Sequence, residues 1–121
     1  MEKKSLKPHE NLKAWQLSMD LAQKIYQVTE LFPDSEKFGM GSQMRRAVVS
    51  APSNIVEGAA MRSNSDFSRF LSYTIGSLNE LSAQIELSTR TQMLSEPDGE
   101  ILLNLLDETL AVTFGLRKSL K

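Results

Sequence analysis

The chain has 121 residues, 40% of them hydrophobic and 24% charged, with a net charge of −1. That balance fits one globular domain and lacks the overall basic excess of a general nucleic-acid coat. The absence of cysteine excludes disulfides and thiolate chemistry, and no apolar run approaches the roughly 20 residues that span a bilayer.

Residues 1–10, MEKKSLKPHE, read as a flexible charged tail ahead of a domain over residues 11–121. No apolar stretch follows the lysines, so the segment does not read as a secretory leader and a cytoplasmic protein is expected. The first helix is predicted over about residues 12–31. Leu17, Leu21, Ile25, Val28 and Leu31 recur at spacings of three or four and make one apolar face. Trp15, Met19, Ala22 and Tyr26 form a second stripe beside it, more apolar surface than a single bundle seam needs. Pro33 ends the helix, because the residue before a proline is pushed out of helical geometry.

The second helix is expected from Gly41 or Ser42 to about residue 60. Met44, Ala47, Val48, Ala51, Ile55, Gly58 and Ala59 line one side. Pro52 removes a donor and crowds the Val48 carbonyl, so this helix either kinks or breaks there. The apolar pattern stays in phase past the proline, which favours a kink. Ser65, with Asp66 behind it, is the expected cap of a long third helix over about residues 66–93. Leu71, Leu78 and Ile85 repeat every seven residues in it, as do Phe67, Thr74 and Leu81, the spacing of near-antiparallel packing. Ser95, Pro97 and Asp98 open a fourth helix that runs to about residue 119. Ile101, Leu102, Leu105, Leu106, Leu110, Phe114 and Leu116 supply its apolar face, with Leu103 and Val112 outside it. Four helices with short connections make an all-α, up-down-up-down antiparallel bundle with a proline kink in its second helix.

Little in the chain points to catalysis or metal binding. The lone histidine, His9, falls in the tail and is expected to be solvated. A di-iron carboxylate bundle needs Glu-x-x-His twice, and structural zinc needs Cys and His clusters; neither pattern occurs. A Ser-His-Asp triad needs a positioned histidine. Gly39-Met40-Gly41 lacks the length and the lysine of a phosphate loop. No metal, cofactor or enzyme activity is expected.

Five polar residues in the central helices stand out: Arg46, Asn54, Glu57, Glu80 and Gln84. Two carboxylates meeting in an apolar site could do acid–base work. Without a nucleophile, histidine or metal ligand beside them, the preferred reading is a structural polar network that fixes helix register or assembly. Gly58, Gly76 and Ser77 are candidate points of close helix approach, since glycine in a helix interior costs about 1 kcal/mol against alanine.

The segments Gln43-Met44-Arg45-Arg46-Ala47, Asn54-Ile55-Val56-Glu57-Gly58 and Gly76-Ser77-Leu78 to Glu80-Leu81, with Leu12-Lys13-Ala14-Trp15 opening the first helix, closely resemble one family. It is the four-helix-bundle family named after open frames in intervening sequences of bacterial 23S ribosomal RNA genes. The resemblance covers about residues 12–116. It implies a bundle that assembles into a ring-like homopentamer. The chain also resembles the accessory protein of diversity-generating retroelements, a pentameric bundle that contacts a reverse transcriptase and nucleic acid. The ribosomal label of some members reflects gene location.

Charge adds a clue of its own. In an up-down bundle, residues 1–15, 57–70 and 114–121 share one end. There Lys3, Lys4, Lys7, Lys13, Arg62, Arg69, Arg117, Lys118 and Lys121 face Glu2, Glu10, Glu57 and Asp66. At the opposite end, residues 28–46 and 84–101, carboxylates outnumber cations. A cyclic oligomer would multiply the basic end into a face able to hold RNA or DNA phosphates. The sequence therefore predicts a non-enzymatic, homo-oligomeric interaction module that contacts RNA, DNA or a nucleic-acid enzyme. The competing reading is a protein–protein scaffold with no nucleic-acid role, and an enzyme built on Glu57 and Glu80 stands behind both.

Overall fold

Four long helices, Lys13–Thr29, Ser42–Ala59, Asn64–Arg90 and Glu96–Ser119, make up the computed structural model, which describes residues 7–121. There is no strand among the described residues. The first helix packs on the second, the second on the third, the third on the fourth and the fourth on the first. This is the closed square of an up-down-up-down bundle.

Serine caps set two of the helix starts. Ser95 Oγ accepts the Asp98 N–H at 3.1 Å, as the sequence predicts. For the third helix the cap is Ser63, whose Oγ accepts the Asp66 N–H at 3.0 Å. The sequence places this cap at Ser65. An N-cap oxygen must reach the N–H three residues on, and the pairing with Asp66 is met two residues earlier. That register also puts the Asp66 carboxylate in the first turn, where the helix dipole favours it.

Packing of the first helix departs from its apolar pattern. The buried seam is Ala14, Ser18, Leu21, Ile25 and Thr29, extended by Phe32. Leu21 and Ile25 are shared with the predicted stripe. Leu17 and Val28 are half-buried, and Leu31 is 83% exposed. Counting apolar residues alone misses the seam because two of its members are small hydroxyl residues. Thr29 fits there because its hydroxyl donates to the Ile25 carbonyl at 2.7 Å and so carries no unpaired donor into the core.

The second helix runs unbroken through the buried Pro52. The backbone beside it is tied to the third helix, where the Thr74 hydroxyl donates to the Ala51 carbonyl at 2.9 Å. Ahead of this helix, a single turn at Asp34–Glu36 and a wide turn at Lys37–Gly41 carry the chain across the bundle end. Arg45 braces that crossing. Its Nε donates to Thr29 Oγ1 at 2.8 Å and its Nη2 to the Tyr26 carbonyl at 3.2 Å. Its guanidinium also lies 4.4 Å from the centre of the Tyr26 ring. A cation thus sits against the last carbonyls of the first helix, where its dipole favours positive charge.

Two cores fill the bundle. The larger contains Leu21, Ile25, Met44, Val48, Leu78, Leu81, Ile85, Leu102 and Leu106. The smaller gathers Ala14, Ile55 and Leu71, with Leu12, Trp15, Phe67, Val112, Leu116 and Leu120 against them. Gly58 lets the second and third helices close over this smaller core. A Cβ there would sit 2.7 Å from Phe70 Cβ and 2.9 Å from Phe67 Cδ1. Gly58→Val should therefore cost about 1–3 kcal/mol through overpacking and lower the thermal midpoint measured by circular dichroism. Gly76 has no neighbour within 4 Å of the same position, so its small size relieves no contact within the chain.

Candidate nucleic-acid interface

The smaller core decides where the cations go. It joins the start of the first helix, the end of the second, the start of the third and the end of the fourth. The charged residues flanking those termini therefore share one end of the bundle. Lys7, Lys13, Arg62, Arg69, Lys118 and Lys121 are exposed there and Arg117 is half-buried. Lys3 and Lys4 lie outside the described residues. The described carboxylates of the same segments are Glu10, Glu57 and Asp66.

His9 departs from expectation. It is 9% exposed and packs edge-on against Trp15, with ring centres 4.8 Å apart. Hydrogen bonds from the Glu10 N–H to the Lys7 carbonyl and from the Leu12 N–H to the His9 carbonyl fold residues 7–12 into turns. An aromatic partner at Trp15 makes burial of the imidazole favourable, which the reading of a solvated tail overlooks.

Two arginines on this end are fixed beside aromatic rings. Arg117 Nη1 donates to Ser72 Oγ at 3.0 Å, bridging the fourth and third helices, and its guanidinium lies 5.1 Å from the Phe114 ring centre. Arg69 contacts Asp66 at 3.3 Å and donates to the Tyr73 hydroxyl at 3.4 Å. Its guanidinium lies 4.8 Å from the Phe70 ring centre and 5.9 Å from that of Tyr73. The hydrogen bonds to Tyr73 and then to Asp66 hold its pKa above the ordinary guanidinium value, so it stays cationic. Ser68, Ser72, Phe114, Arg117, Lys118, Leu120 and Lys121 line an open groove of about 530 Å³. No Asp or Glu is among the lining residues.

The five polar residues of the central helices do not form one cluster within the chain. Asn54 Nδ2 donates to the Ser50 carbonyl at 2.9 Å and to Ser50 Oγ at 3.0 Å. The Ser77 hydroxyl meets the same Ser50 Oγ at 2.8 Å, linking the second and third helices. Farther along, Gln84 Nε2 donates to Glu80 Oε2 at 3.3 Å. Gln84 Oε1 is buried with no hydrogen-bond partner among the described residues. Arg46, Glu57 and Glu80 are exposed. Asn54→Leu, and separately Glu80→Leu, should lower stability or shift assembly by about 1–3 kcal/mol through a partner left unsatisfied. Thermal melts and light scattering that match the wild type for both variants would count against a structural role.

The opposite end carries an acidic groove of about 850 Å³ between the third and fourth helices, with Glu86, Glu96, Glu100 and Asp107 among its lining residues. No cluster of three or more potential metal ligands occurs among the described residues. Nor is any described helix long and apolar enough to cross a membrane.

Comparison with known proteins yields a family match over residues 10–115, to the family described as 23S rRNA-intervening sequence protein. Among solved structures, the bundle is similar to the crystal structure of a protein with unknown function from the S23 ribosomal protein family of Bacteroides thetaiotaomicron. The TM-score is 0.81 and the identity 24%, over 87% of this chain and 95% of that one. No curated protein matches the chain.

Proposed function

The chain belongs to the 23S rRNA-intervening sequence protein family, and on that footing we propose that it is a non-enzymatic, homo-oligomeric interaction module, a pentamer, whose basic end contacts RNA or DNA. The observation that carries the nucleic-acid part is the grouping of Lys7, Lys13, Arg62, Arg69, Arg117, Lys118 and Lys121 at one end, against three described carboxylates, Glu10, Glu57 and Asp66. Their side chains flank helix termini held together by a buried core, so the charge distribution is built into the fold. In a closed ring all chains point the same way along the axis, and the basic ends join into one face.

Support for self-association is the apolar surface left on the bundle flanks. Met19 and Tyr26 on the first helix, Val49 on the second, Tyr73 and Leu87 on the third and Ile101 on the fourth are each 43–54% exposed. Phosphate binding by lysine and arginine releases counterions, so affinity should fall steeply between about 50 and 200 mM salt and depend little on sequence. Fluorescence anisotropy with labelled RNA and DNA across that range tests the reading. Absence of binding at low salt would leave the scaffold.

A specific observation favours that second reading. At the acidic end Leu31 is 83% exposed and Phe38 94% exposed. Two nearly bare apolar side chains in neighbouring turns suit a protein partner better than a phosphate backbone. Identifying the macromolecule that co-purifies with the native protein separates the two readings.

A further inference from the structure

We propose that the groove between the third and fourth helices at the basic end holds unpaired nucleotides, with Phe114 as a stacking platform for a base. The inference rests on the nucleic-acid reading above and narrows it from any polyanion to single strands. Phosphate contacts alone require only cations. The groove also offers an exposed aromatic face, with Phe114 44% exposed. That ring is paired with an arginine, Arg117.

The placement suits the chemistry. Arg117 is held at the groove by Ser72 of the third helix, so its guanidinium and the Phe114 ring share one wall of it. Lys118 and Lys121 line the same groove, and Ser68 and Ser72 add hydroxyls that can bond phosphate or sugar. No Asp or Glu side chain lines the groove, which removes a repulsion that a phosphate chain would meet. A base that stacks on a ring must first leave its neighbours. A single strand does this at little cost, whereas a duplex must unpair. Aromatic faces accept any base, so the groove should be tolerant of sequence.

The test uses labelled single strands of about 15 pyrimidine nucleotides, as DNA and as RNA, and a duplex of equal length, with binding read by anisotropy at low salt. The wild type should bind the single strands more tightly than the duplex. Phe114→Leu should weaken single-strand binding about tenfold, the loss of one stacked base, and leave duplex binding within about twofold. Arg117→Lys keeps the charge and loses the planar guanidinium. It should therefore weaken single-strand binding while the salt dependence stays as in the wild type. Equal affinity for duplex and single strand, or no effect of Phe114→Leu, overturns the stacking inference while steep salt dependence upholds the basic-end reading. No binding of any probe overturns both. Phe114 is exposed and Arg117 half-buried, and unchanged thermal melts of the variants confirm that a lost affinity is not a lost fold.

Discussion

Light scattering of the purified protein at micromolar concentration should give about five times the 13.6 kDa mass of one chain. The physical basis is apolar surface that the bundle does not cover. Leu103 and Val112, which the sequence places outside the apolar face of the fourth helix, do not add to that surface, because they are half-buried and pack on the chain's own cores. Met19, Tyr26, Val49, Tyr73, Leu87 and Ile101 remain, distributed over all four helices. A two-fold dimer needs one self-complementary patch. A ring needs two different patches, one for each neighbour, so apolar residues on several flanks suit cyclic assembly. The outer face of the third helix is shaped for such a contact. Tyr73, Gly76, Glu80, Ala83 and Leu87 are all exposed at spacings of three and four, and the alternation of small and large residues along a heptad-like stripe favours close helix approach. Replacing both Met19 and Leu87 by Glu should lower the measured mass toward that of one chain while circular dichroism still reports helix. A wild-type monomer would refute self-association outright.

The bundle was legible because its determinants are local and periodic. Leu71, Leu78 and Ile85 repeat every seven residues and all three are fully buried. Ser95 caps the fourth helix as its spacing to Asp98 predicts. What the sequence hid depends on pairs distant along the chain. Thr29 and Ser18 sit in the buried seam of the first helix, which apolar counting cannot detect. Thr29 also accepts from Arg45, sixteen residues away. Arg46, the arginine that the sequence suggests for a polar network, is exposed, and its neighbour Arg45 makes the contacts. A one-residue shift on a helix turns a side chain by about 100°, and which of two adjacent arginines faces inward follows from packing. At the basic end the cations could be assigned from topology alone. The exposure of Phe114 could not, because it lies among apolar residues that look equally fit for the core. The seam of the fourth helix instead uses Gly99, Leu102, Leu106, Thr109 and Thr113. Thr109 and Thr113 satisfy their hydroxyls on backbone carbonyls one turn back, at 2.7 Å each. They rotate Phe114 and Ile101 outward.

Replacing Lys3, Lys4, Lys7, Arg117, Lys118 and Lys121 together by Gln should abolish nucleic-acid binding and leave the bundle folded. Each substitution removes one unit of positive charge, those at Lys7, Arg117, Lys118 and Lys121 from the basic end, and in a pentamer each is repeated in every copy of the chain. A protein with six to ten phosphate contacts loses about 10³–10⁵ in affinity when salt rises from about 50 to 200 mM. Deleting the cations themselves should have a comparable effect at low salt. The fold should survive because Lys7, Lys118 and Lys121 are exposed and Arg117 is half-buried. Arg117 makes a side-chain hydrogen bond to Ser72, and a net loss of about 1 kcal/mol at that site is tolerable. The matched control replaces Glu96, Asp98 and Glu100 at the opposite end by Gln. Those residues lie beside the first turn of the fourth helix, where their charge favours the helix dipole. That variant should melt slightly earlier and bind nucleic acid as the wild type does. If the six-Gln variant binds as well as the wild type, the basic end is solubilising surface. If the acidic-end variant loses binding as well, the contact depends on the integrity of the assembly and not on the charge at one end.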